Sequence, residues 1–148
     1  MSERSQLYWD FWSKFSERLR SLHPTWTRGT STKSSWFSMS TGIATANWVF
    51  IFGSDGLAVQ LEFVNSDSAI NVLRYEALLS KRDEMESTFG AQLHWDPMEG
   101  RKATKIVTRT GIADVSDRSL WDDRIAWFIS AGERMRKALE SVGGVPSI

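Results

Sequence analysis

Residues 46–64 read ANWVFIFGSDGLAVQLEFV, two apolar runs flanking Gly53-Ser54-Asp55-Gly56. The four central residues carry the chemistry of a tight hairpin turn. After it, Leu57, Val59, Leu61 and Phe63 alternate with Ala58, Gln60 and Glu62, the period-two pattern of a strand with one face in a core. Before it, ANWVFIF is apolar on both faces, as a central strand would be. A hairpin cannot bury itself, so these residues call for a larger antiparallel sheet and something to cover it.

Working outward, SWFSMS (35–40) alternates with Phe37 and Met39 on one side, and Thr41-Gly42 supplies a second turn. A three-stranded meander follows. Upstream, SQLYWDFWSKFSERLRSL (5–22) repeats apolar residues at Tyr8, Phe11, Trp12, Phe15, Leu19 and Leu22, the spacing of one helix face. Pro24 ends that helix, and residues 25–34 form a polar loop. Downstream, Asp67 or Ser68 is placed to cap a helix whose stripe runs Ile70, Leu73, Ala77, Leu78, Met85 and Phe89, unbroken to Gly90. AQLHWD (91–96) and KATKIVTRT (102–110) read as two strands joined through Pro97-Met98-Glu99-Gly100. Ser116 or Asp117 would cap a last helix carrying Trp121, Ile125, Phe128, Met135, Leu139 and Val142, with Gly143-Gly144 at its end. The expected fold is one α+β domain over residues 1–148, in the order α-βββ-α-ββ-α, with helices packed on one face of an antiparallel sheet.

Composition narrows the function classes. The absence of cysteine removes disulfides, thiolate nucleophiles and cysteine metal sites. No apolar run approaches the length of a membrane span, and the first residues carry no apolar signal segment, so a cytoplasmic location without membrane partners is expected. Eighteen basic and eighteen acidic residues cancel, which argues against a duplex-binding surface built on basic excess. Eight tryptophans point to an aromatic core or contact surface.

ALLSKRDEMESTFGAQLHWD (77–96) carries a family likeness. Leu78, Lys81, Glu84, Met85, Glu86, Phe89, Gly90, Leu93 and Trp95 form a pattern that resembles the prokaryotic domain-of-unknown-function family 4268. Tyr8, Trp9, Trp12, Asn71, Lys105, Ile106, Trp121 and Trp127 extend the likeness over nearly the whole chain. The resemblance implies an accessory module of the kind often joined to restriction-endonuclease-like nuclease domains, in DNA metabolism or defence against phage.

Several residue sets offer chemistry. Asp55 and Glu62 imitate the acids of a restriction-type nuclease, but the matching lysine position is filled by Val64. Asp96, Glu99 and Lys102 surround a turn, where such residues collect for solubility. His23 and His94 are far apart in sequence and bring no metal-ligand spacing. No metal and no cofactor is expected. Lys81 and Glu84 stand at the spacing of a weak helical ion pair, with the Lys81 stem over apolar surface. Arg101, Lys102, Lys105 and Arg109, extended by Arg134, Arg136 and Lys137, form a candidate basic set for a nucleic acid or nucleotide. Trp9, Trp26 and Trp36 fall outside the core stripes and are candidates for an exposed contact surface. The sequence therefore favours a non-catalytic module that binds a protein partner or itself, with a nucleic-acid or nucleotide binder and a degenerate nuclease as alternatives.

Overall fold

A computed structural model describes residues 2–148. Strands β1 (Trp36–Ser40), β2 (Ala46–Gly53), β3 (Gly56–Phe63), β4 (His94–Asp96) and β5 (Thr104–Arg109) form one antiparallel sheet in the order β1-β2-β3-β5-β4. The central hairpin closes with Gly53 opposite Gly56 and Phe50 opposite Val59. Gly56 holds φ +135, and a Cβ there would come within 2.6 Å of the Gly111 carbonyl oxygen, so the turn needs glycine. Strand β5 enters beside β3 with Ile106 opposite Leu61, and Trp95 of β4 lies opposite Ile106.

Strand alternation sorts the sheet into two faces. Phe37, Met39, Trp48, Phe50, Phe52, Val59, Leu61, Phe63 and Ile106 point to one side and are buried there. Helices α1 (Glu3–Leu22), α2 (Ser68–Leu79), α3 (Arg82–Phe89) and α4 (Trp121–Ser141) all pack on that side, as the sequence indicates. Phe11 meets Phe52 edge to face at 4.9 Å, Phe15 meets Phe37 at 5.2 Å, and Phe128 of α4 meets Phe50 at 5.8 Å. Ring edges on ring faces let this aromatic layer pack without stacking its like-charged faces. The exposed edge of β1 is closed by the 25–35 loop: the Thr32 hydroxyl donates to the Trp36 carbonyl at 2.6 Å and the Thr27 hydroxyl to that of Ser40. Those carbonyls would otherwise template pairing with another chain. Among the described residues no helix is long and apolar enough to cross a membrane.

Four local expectations change. The helix from 68 to Gly90 is two helices, broken at Ser80-Lys81, where Lys81 takes φ -114 and ψ 23. Leu73, read as inward, is 50 % exposed; Asn71 and Tyr75 face the core instead, alongside Leu78 as expected. Strand β4 shrinks to three residues because Leu93 spends its backbone N–H on the Glu86 side chain rather than on the sheet. The last helix is capped by neither Ser116 nor Asp117: a 3-10 turn (Arg118–Leu120) intervenes, and the Trp121 indole donates to the Val115 carbonyl at 2.8 Å. Asp67 does cap α2, accepting from the Ala69 N–H at 3.0 Å.

Candidate functional site

The residues that carry the family pattern, exposed Glu84 apart, are engaged within the fold. Lys81 makes no ion pair with Glu84; its Nζ donates to the Val142 carbonyl at 3.2 Å, placing a positive charge on the C-terminal end of α4. Glu86 is 14 % exposed and accepts from the Leu93 N–H at 2.7 Å, the Trp95 indole at 3.2 Å and Arg82 at 3.2 Å. Burial raises its carboxyl pKa, but those donors outweigh it and hold the group below its ordinary value. Gly90 takes φ +94 at the end of α3, the left-handed cap position. Fully buried Asn71 accepts from the Asn65 N–H at 2.7 Å and donates to the Asn65 and Lys102 carbonyls, each at 2.9 Å. This set ties α2 to the β4–β5 loop, α3 to β4, and Lys81 to the end of α4.

The other face of the sheet differs. No helix covers it, and its side chains fall into three rows across the strands. One row runs Trp36, Ile51, Ala58, Arg109; the next Ser38, Val49, Gln60, Val107, His94; the third Ser40, Asn47, Glu62, Lys105, Asp96. Val49, Ala58, Gln60 and Val107 are shielded at the centre, whereas Trp36 is 50 % exposed and Arg109 and His94 are exposed at the rim. Two shallow hollows of about 330 and about 120 Å³ open here. Both are lined only by strand residues and the turns at their ends, including Trp36, Val49, Gln60 and Glu62 in the first and Lys105 and Arg109 in the second.

Polar groups on this face are under-used. Asn47, Gln60, Glu62 and Arg109 make no side-chain hydrogen bond and no ion pair among the described residues. Half-buried Glu62 has its carboxyl pKa raised by desolvation, which the neighbouring Lys105 charge only partly offsets. Lys105 itself lies 4.0 Å from Asp96. The face thus carries Glu62 and Asp96 against Lys105 and Arg109, a balance of two acids and two bases.

The remaining candidates are dispersed. Trp9 is 40 % exposed but belongs to α1, in the helical layer. Trp26 is not a free contact residue: it is stacked between His23 at 3.7 Å and the Arg136 guanidinium at 3.7 Å, with Glu133 holding His23 at 2.9 Å. The basic set is divided by the sheet. Lys105 and Arg109 point to the uncovered face, Arg101 and Lys102 sit in the β4–β5 loop, and Arg134 donates to the Phe89 carbonyl at 2.8 Å on the helical side. Asp55 lies in the β2–β3 turn, and six residue steps of about 3.3 Å separate Gly56 from Glu62, so the two acids stand about 20 Å apart. Among the described residues no three His, Asp or Glu side chains converge as metal ligands. Asn47, Val49, Ile51 and Val107 on this face carry no local motif; the signal for the first three lies in β2, whose apolar residues occupy both faces, a pattern that also fits burial on both.

No curated protein and no solved structure matches the chain. A family model does, over residues 7–142, a span that includes the whole sheet and all but the first turn of α1. The chain therefore belongs to the family described as Domain of unknown function (DUF4268).

Proposed function

We propose that the chain is an interaction module without a catalytic centre of its own, and that the uncovered sheet face receives another protein surface. The observation that carries this reading is the concentration of unpartnered polar side chains around an apolar centre on one uncovered face. Asn47, Glu62 and Arg109 surround Val49, Ile51 and Val107, with Gln60 among them at the centre and Trp36 at the edge. Protein interfaces have this anatomy, an apolar middle with aromatic and arginine anchors and a polar rim. The helical layer, by contrast, has Lys81 and Glu86 of its signature already paired.

A polynucleotide fits this face less well. Phosphate binding needs a net basic surface, and here Lys105 and Arg109 are offset by Glu62 and Asp96. The cytoplasmic setting, which rests on composition, and the link to phage defence or DNA metabolism, which rests on the family likeness, belong to the same proposal.

The test uses Trp36→Ala/Ile51→Ser on the sheet face and Trp9→Ala/Leu73→Ser on the helical layer. Any complex formed by the chain, with itself or with a co-expressed neighbour-gene product, is lost in the first variant and kept in the second, with circular dichroism unchanged in both. Loss in the helical-layer variant with retention in the sheet-face variant overturns the reading. Salt-sensitive retention of single-stranded DNA that depends on Arg109 would replace it with nucleic-acid binding.

A further inference from the structure

The occupant of this face can be narrowed by symmetry, an inference that rests on the docking reading above. We propose that two copies of the chain pack face to face about a two-fold axis running along the strands between β2 and β3. Such an axis lays β1 of one copy over β5 of the other and β2 over β3, at the same height along the strands.

The register then makes specific pairs. Trp36 of one copy lies over Arg109 of the other, an exposed ring against an exposed guanidinium, and the pair occurs twice. Ile51 lies over Ala58, large against small. The Asn47 amide lies over the Glu62 carboxylate and supplies the donor that this half-buried acid lacks within its own chain.

Other axes do worse. Moved one strand over, between β3 and β5, the axis sets β1 beyond the far edge, and Ile51 meets no residue because β4 spans only His94–Asp96. Turned across the strands, the axis sets Arg109 over Lys105 and opposes two positive charges. Four strands about 4.8 Å apart and about 20 Å long present roughly 400 Å² of projected surface per copy, below the range of stable specific interfaces and within that of weak, transient ones. The association is therefore weak and concentration-dependent.

The absence of cysteine makes the test clean. Sedimentation equilibrium over a wide concentration range should show a monomer–dimer equilibrium, weakened about tenfold or more by Arg109→Glu, since a charge reversal at the rim removes an attraction and adds none. Mixed Ile51→Cys and Ala58→Cys chains should cross-link to each other through a short bis-maleimide, because sheets packed about 10 Å apart lie beyond the reach of a disulfide, whereas Leu73→Cys with Ala58→Cys should not. A chain that stays monomeric at every concentration overturns the two-fold. So does a dimer indifferent to Arg109→Glu and without the 51–58 cross-link. If the chain is monomeric yet Trp36→Ala/Ile51→Ser still abolishes capture of a different co-expressed protein, the two-fold falls and the docking reading stands.

Discussion

The corner where α2, α3, α4 and β5 meet and the uncovered face of the sheet hold similar residues in opposite states. At the corner, Asn71, Lys81 and Glu86 are each met by donors or acceptors at 2.7 to 3.2 Å. On the face, Asn47, Glu62 and Arg109 have no such partner among the described residues. A buried polar group without a partner costs free energy, so a chain tolerates exposed ones cheaply and buried ones only when satisfied. The corner is scaffold, and the face is where polar groups remain without partners among the described residues. A family pattern concentrated at the corner thus marks how the domain is built.

The comparison breaks if corner residues prove dispensable for folding. Asn71→Ala strips partners from the Asn65 N–H and from two carbonyls and should cost about 3 kcal/mol in urea unfolding. Glu86→Gln should cost about 2 kcal/mol at neutral pH, because it removes a charge held by three donors. Its folded pKa lies below the unfolded value, so the stability it supplies is present above about 4.5 and lost as pH falls through the folded value. The variant's unfolding midpoint should therefore fall less steeply on acidification than that of the parent. Lys81→Met should cost about 0.5–1 kcal/mol through the lost charge on the α4 terminus.

Face substitutions sharpen the comparison from the other side. Arg109→Ala should change stability by less than about 0.5 kcal/mol, as for an exposed side chain without partners, while weakening association. Glu62→Gln should raise the thermal midpoint of the monomer at pH 7. The Glu62 carboxyl has a raised folded pKa, so its ionisation opposes folding at neutral pH; the gain fades as pH falls through that raised value and is gone below about 4.5, where both states are protonated.

Much of the scaffold was legible. The 46–64 hairpin, the α1 stripe from Tyr8 to Leu19 and the Asp67 cap all follow from local period and capping chemistry, and the structure keeps them, whereas Leu22, expected in the same stripe, is exposed in the last turn of α1. The helix break at Ser80-Lys81 was not legible, because nothing in the local composition stops a helix there. It is produced by contacts remote in sequence, Lys81 with Val142 and Glu86 with Leu93 and Trp95. Leu73 misled for the same reason: the Asn71 clasp, with its partners at 65 and 102, sets which side of α2 faces inward. Of the site, Trp36, Lys105 and Arg109 were visible singly. Their common face depends on β5 pairing beside β3, which the turn chemistry of the β4–β5 hairpin does not specify.

Indole N–H resonances across a dilution series test the central claim most directly, since the eight tryptophans sample both regions. The Trp36 signal should shift progressively with concentration while those of Trp9, Trp12 and Trp121 stay in place. A Trp36 signal that stays fixed while the Trp9 signal moves would contradict the account and put the contact surface in the helical layer.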